Sequence, residues 1–259
     1  MANSSSDNSP GKIVRRKKRG EITNDSGTLA KIRSSQIKGT SKESLPSKTK
    51  LQETVNRSRE KQSLMRVIFS FDATASRSHF WDISQEITAG MFENIPPELE
   101  IALAYHQGNA HTLGHFGKDR NEFFQELNKV QPVPGLTKFN EILREAIELP
   151  RVKSLIYIGD CYEESIETGL GLAQQLALKN TKVFVFHDSM GDENERAKRN
   201  LGEIARATSG ALFNFDTNSP TLIQQILQAI IFYSSSGGIK KVKTLKTPGA
   251  KLFLQAVSE

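Results

Sequence analysis

Met65-Arg66-Val67-Ile68-Phe69-Ser70-Phe71-Asp72-Ala73-Thr74-Ala75-Ser76 is the stretch from which the fold can be read. Its first seven residues form a short apolar run rich in β-formers, the pattern of a strand buried in a sheet. One carboxylate and two hydroxyls then alternate along a tight loop. A buried strand followed by side-chain oxygen suggests chemistry placed beyond the strand's C-terminal end.

Outward toward the C-terminus the pattern repeats. Phe80 to Phe92 has helical spacing, with Phe80, Trp81, Ile83, Ile87, Met91 and Phe92 on one stripe. Leu99 to Tyr105 reads as a strand and Ala110 to Phe116 as an edge strand. Asp119 to Lys129 reads as a helix with Asp119 as its N-cap. Two prolines and a glycine make residues 131–136 a loop. Phe139, Ile142, Leu143 and Ile147 mark a helix, Val152 to Ile158 a strong strand, and Glu164 to Lys179 another helix. Val183 to Phe186 and Ala211 to Phe215 are strands flanking a charged helix over Asp192 to Thr208. Pro220 to Tyr233 closes the series, with Pro220 suited to a first turn. Strands alternating with helices imply an α/β fold: an open, mostly parallel sheet covered on both faces. Ligands of such folds sit beyond the C-terminal strand ends, where strand order reverses.

In the other direction the texture changes. Residues 1–64 carry 15 Lys/Arg against 6 Asp/Glu and no aromatic residue. The net charge there is +9, against +6 for the whole chain, so the basic character belongs to this tail. Such a segment buries too little apolar surface to offset its ordering entropy, and is read as a disordered basic arm with a short helix near Leu51 to Leu64. Residues 65–235 are read as one domain. Residues 236–259 form an extension that begins Ser-Gly-Gly and turns basic, then apolar; strand, short helix and docking segment all remain open for it. The single cysteine, Cys161, fits a reducing compartment. The first ten residues lack the apolar core of a signal peptide, and no apolar run nears the ~20 residues that span a bilayer. A cytoplasmic protein is expected.

Three pieces of oxygen chemistry fall after strands or at helix starts: Asp72-x-Thr74-x-Ser76, then Thr137, then Gly159-Asp160. Their order and placement resemble the metal-ion-dependent adhesion site of von Willebrand factor A domains, over residues 65–235. The chain is more narrowly similar to small stand-alone bacterial A-domain proteins, through Phe69 to Arg77, Trp81-Asp82 and Gly159-Asp160-Cys161-Tyr162-Glu163-Glu164. That resemblance implies a doubly wound, Rossmann-like fold with an antiparallel edge strand. It also implies a divalent cation, Mg²⁺ or Mn²⁺, which takes about six oxygen ligands. Thr74, Ser76 and Thr137 would approach the metal, and Asp72 and Asp160 would act largely through bound water. A shell so short of negative charge takes a carboxylate from a protein partner. The chain departs from the family pattern at Thr74, where serine is usual, at Leu136, where glycine often stands, and at Cys161, where glycine follows the aspartate.

Other residues have plainer readings. Glu163 and Glu164 are expected in a helix first turn, where acids suit the dipole. Cys161 lacks an adjacent base and reads as a small apolar side chain. His111 and His115 on one strand lie ~13 Å apart, too far for one ion. His187-Asp188 ends a strand and leads into a turn. The run Arg15 to Arg19 either keeps the tail solvated or contacts nucleic acid or another acidic surface. The leading reading is a metal-dependent protein-interaction module without enzymatic activity. The alternatives are a metal-assisted phosphoester hydrolase and a polyanion binder acting through the tail.

Overall fold

The computed structural model describes residues 52, 64–74, 87–88, 92, 95–188, 195–215 and 218–258. The chain divides into two units, Met1–Glu53 and Thr54–Glu259, and the fold described here is that of the second. Ser76, Arg15 to Arg19 and most of the helix expected over Phe80 to Phe92 lie outside the described residues.

Six strands form one sheet: β1 (Met65–Asp72), β2 (Leu99–Gln107), β3 (Ala110–Leu113), β4 (Val152–Gly159), β5 (Lys182–Asp188) and β6 (Ala211–Phe215). Their order is β3-β2-β1-β4-β5-β6. All neighbours are parallel except β3, which pairs antiparallel to β2 at the edge. This is the doubly wound α/β fold expected, with its antiparallel edge strand in place.

The helices among the described residues are α1 (Arg120–Leu127), α2 (Phe139–Glu148), α3 (Ile166–Leu178), α4 (Glu195–Ala207), α5 (Pro220–Ser234), α6 (Gly238–Val242) and α7 (Pro248–Ala256). Asp119 caps α1 as expected, accepting from Asn121 N at 2.7 Å. The start of α3 differs from the sequence reading. Ser165 is its N-cap and accepts from Thr168 N at 3.2 Å, so Glu163 and Glu164 fall outside the helix. The extension resolves its ambiguity with two helices, α6 and α7: Thr247 caps α7, and Pro248 occupies its first turn. No described helix is long and apolar enough to cross a membrane.

The two faces of the sheet bury different layers. Val67, Phe69, Phe71, Ile156, Ile158, Phe184, Phe186, Phe213 and Phe215 pack against α1, α5 and α7. Ile68, Ala104, Leu155, Tyr157, Val183 and Val185 pack against α2, α3 and α4. Alternate residues of each strand serve opposite layers, so strands buried on both faces read as unbroken apolar runs. Phe253 of α7 is fully buried in the first layer, its ring centroid 5.5 Å from Phe184 and 5.4 Å from Tyr233.

Candidate metal centre

The chain leaves β1 for β2 on one side and later returns to β4 on the other. The C-terminal ends of β1 and β4 therefore flank the point where strand order reverses, the usual ligand crevice of such sheets. One level of the sheet crosses this point. His106 lies opposite Asp72, Phe71 opposite Ile158, Gly159 opposite His187, and His187 opposite Asn214. By alternation from Ile68, Ala104, Tyr157 and Val185, the row His106, Asp72, Gly159, His187 and Asn214 faces α2, α3 and α4. On that face the apolar core gives way to buried polar side chains, at Ser70 and then at Asp72, His106 and His187.

Asp72 is 2% exposed. Its Oδ1 accepts from Thr74 N at 2.9 Å, a bond two residues ahead that shapes the loop after β1. Ala73 joins that loop to two others: its N–H donates to His106 O at 3.0 Å, and its carbonyl accepts from Val133 N at 3.1 Å. Gly135 then packs on Gly108, where a Cβ would stand 2.1 Å from the Gly108 carbonyl oxygen. Only glycine fits there. The loop over residues 131–136 is thus tied down on its way to Thr137, itself 2% exposed.

Thr137 is held from the other side by Glu163. Its N–H donates to Glu163 Oε2 at 3.0 Å, while its Oγ1 accepts from Glu163 N at 3.1 Å. The neighbouring Glu164 carboxylate accepts from Asn140 N at 3.0 and 3.2 Å, satisfying a free amide of the first turn of α2. Tyr162 adds a third tie, donating to Asn140 Oδ1 at 3.0 Å and Ser165 O at 2.9 Å. The acids expected to serve their own helix therefore serve the preceding one. A signal for this was present: serine is a strong N-cap residue, and one at 165 places both glutamates ahead of α3.

Asp160 follows β4 directly and is half-buried. Its Oδ1 is buried and has no hydrogen-bond partner. Next to it, the Cys161 thiol is pushed up to about 11 by burial and by the carboxylates of Asp160, Glu163 and Asp72. The thiol is protonated at neutral pH and is a poor nucleophile. Its response also registers negative charge converging from two loops, those after β1 and β4.

Below Asp72 lies His106, which the sequence reading did not single out. It is fully buried, with Nε2 3.1 Å from the Tyr157 hydroxyl and Nδ1 3.7 Å from Asp72 Oδ1. Burial pushes its pKa down to about 4, with Lys138 and His111 adding to the fall and Asp160 opposing it, so the ring is neutral at pH 7. Tyr157 is sandwiched between His106 and Phe139, at centroid distances of 5.9 and 4.1 Å. Its hydroxyl reaches under Gly159, where a Cβ would come within 2.6 Å of it. His187 is buried at the same level, and burial lowers its pKa.

The structure brings Asp72, Thr74, Thr137 and Asp160 to the loops of one crevice. The donors are all oxygen, which suits a hard divalent cation. Among the described residues no group of three or more His, Cys, Asp or Glu could hold a metal ion. The crevice set differs in kind, since its two carboxylates stand with hydroxyls. A buried carboxylate oxygen without a partner is the feature a cation or its bound water would satisfy. His111 is engaged elsewhere, its Nε2 3.0 Å from Glu145 Oε1, and His115 falls beyond β3.

No protein-family profile matches the chain, and no curated protein does. Solved structures do. The VWA domain of SpRpn10 is 15% identical over 68% of this chain and 97% of its own, with a TM-score of 0.50. The vWF domain of the type V pili tip protein Mfa5 from Porphyromonas gingivalis is 10% identical over 68% and 97%, with a TM-score of 0.52. Proximal thread matrix protein 1 from the mussel byssus, solved with a zinc-occupied MIDAS motif, is 15% identical over 65% of this chain and 46% of its own, with a TM-score of 0.51. Strand order defines a doubly wound α/β domain whose order reverses between β1 and β4. Within that class, the chain has the von Willebrand factor A fold.

Proposed function

We propose that the domain is a metal-dependent protein-interaction module, with Asp72, Thr74, Ser76, Thr137 and Asp160 holding Mg²⁺ or Mn²⁺. The observation that carries this reading is the convergence of Asp72, Thr137 and the unpartnered Asp160 Oδ1 on one crevice. A bound dication would offer an open coordination position to an oxygen ligand, and a partner's Asp or Glu carboxylate is the natural one. The chain's own part is to hold its hydroxyls and carboxylates in place and to keep Glu163 and Glu164 engaged in hydrogen bonds. Val133 and Leu136, 42% and 58% exposed on the loop leading to Thr137, supply apolar surface on the same loop. The preferred ligand is therefore an acidic residue with an apolar neighbour. Two solved relatives by fold are a pilus tip protein and a byssal matrix protein, which agrees with an interaction role. The protonated Cys161 speaks against nucleophilic catalysis in the crevice.

We place the module in residues 65–235, with 1–64 as a separate basic arm and 236–259 as an extension. The free Cys161 supports a reducing, cytoplasmic setting. Selection of random peptides on the immobilised full chain in Mg²⁺, with elution by chelator, tests the reading. Enriched peptides should carry Asp or Glu beside an apolar residue and lose binding on Asp→Asn exchange. Enrichment that survives the chelator, or that lacks acids, contradicts it.

A further inference from the structure

We infer that Glu163 is a positioning residue for the proposed metal site, tying the Thr137 loop to the Asp160 loop through a reciprocal pair of hydrogen bonds. The inference rests on the metal-site reading above and assigns a role outside the five proposed ligands.

Two bonds close a ring between loops 26 residues apart, Thr137 N to Glu163 Oε2 at 3.0 Å and Glu163 N to Thr137 Oγ1 at 3.1 Å. Their logic is that of a capping box, in which a hydroxyl and a carboxylate each serve the other's backbone amide. Here the partners come from different loops. A hydroxyl has two lone pairs and one hydrogen. The Glu163 amide occupies one lone pair of Thr137 Oγ1, which leaves the O–H and the second lone pair to the two remaining directions. The carboxylate Oε2 is meanwhile engaged by the Thr137 amide. Glu163 thus sets the geometry of a neutral ligand while contributing its charge from the side. The tie is reinforced one residue on, where Glu164 caps Asn140 at the start of α2. Thr137 cannot shift relative to the Asp160 loop without breaking its bonds to Glu163.

The test compares the full-length wild type with Glu163→Gln, Glu163→Ala and Asp72→Ala. Mn²⁺ affinity is read by calorimetry, and exchange of the Thr137 amide is read on metal-free protein. Glutamine keeps the side-chain oxygen that accepts from Thr137 N, and alanine removes it. Both keep the backbone donor. Partners of this kind are worth 10–100-fold in metal affinity, so Glu163→Ala should weaken Mn²⁺ binding about tenfold or more and Glu163→Gln by less than about threefold. The Thr137 amide should exchange faster in the alanine variant alone. Wild-type affinity in Glu163→Ala overturns the inference and leaves the metal site standing. Equal losses in the Gln and Ala variants also overturn it, because charge rather than the hydrogen bond would then be responsible. Absence of Mn²⁺ binding in the wild type itself would remove the metal site and, with it, this role for Glu163.

Discussion

The two faces of the sheet are made from the same strands and serve different ends. Toward α5 and α7 the strands present Phe69, Phe71, Phe184, Phe186, Phe213 and Phe215, with rings in contact and Phe253 sealing the layer. Where polar side chains meet on that face they pair with each other: Ser154 and Ser234 lie 2.7 Å apart, and Ser234 also donates to Ile230 O. Toward α2 and α3 the same strands start apolar, at Ile68 and Leu155, and end at Asp72, His106 and His187. The first face is dominated by aromatic rings. The other ends in buried polar groups, including an Asp160 oxygen without a partner. The proposed chemistry lies at the end of the second face, so substitutions deep in the first should separate stability from metal binding.

The largest effect on folding is expected from Phe253→Ala. Removing a fully buried aromatic ring costs about 3–5 kcal/mol, read by urea denaturation. Mn²⁺ affinity should not change at concentrations where the variant is folded. A loss of affinity in that variant would mean the two faces are coupled.

A pH dependence should come next in size, and from the polar face. His106 titrates near pH 4 in the fold, against 6.5 for the free side chain. Between those values the unfolded chain binds a proton that the folded chain refuses. Stability should therefore fall as pH drops through that window and level off below it. The loss amounts to at most about 3 kcal/mol. His106→Gln should flatten this part of the profile; an unchanged slope would assign it to other groups.

Tyr157→Phe should have the smallest effect. It removes the hydroxyl 3.1 Å from His106 Nε2 while keeping the ring stacked on Phe139. A cost of about 1 kcal/mol is expected, with a modest fall in metal affinity through His106 and Asp72. A cost as large as that of Phe253→Ala would erase the contrast between the faces.

Much of this was legible in the sequence, for identifiable reasons. Strands buried on both faces have unbroken apolar runs, so β1, β4 and β5 stood out. Asp119 and Pro220 announced their helix starts through local backbone chemistry. The positions Asp72, Thr74, Thr137 and Asp160 were visible because each follows a strand or opens a helix. What was not legible depends on pairing at a distance. The bonds of Glu163 to Thr137 and Glu164 to Asn140 span 26 and 24 residues, and only the Ser165 cap hinted that the glutamates lay outside α3. His106 looked like one more strand residue until the register set it opposite Asp72. The basic-to-apolar tail at 240–259 showed no clear period, and its helix became definite through Phe253 packing on Phe184 and Tyr233.

The metal site itself is tested by calorimetric titration of Mg²⁺ and Mn²⁺ into the whole chain, wild type beside Asp72→Ala. One saturable site is expected in the wild type and none in the variant, while both proteins keep the same melting temperature within a few degrees. Equal binding in the two proteins, or binding in neither with a carboxylate peptide present, would contradict it.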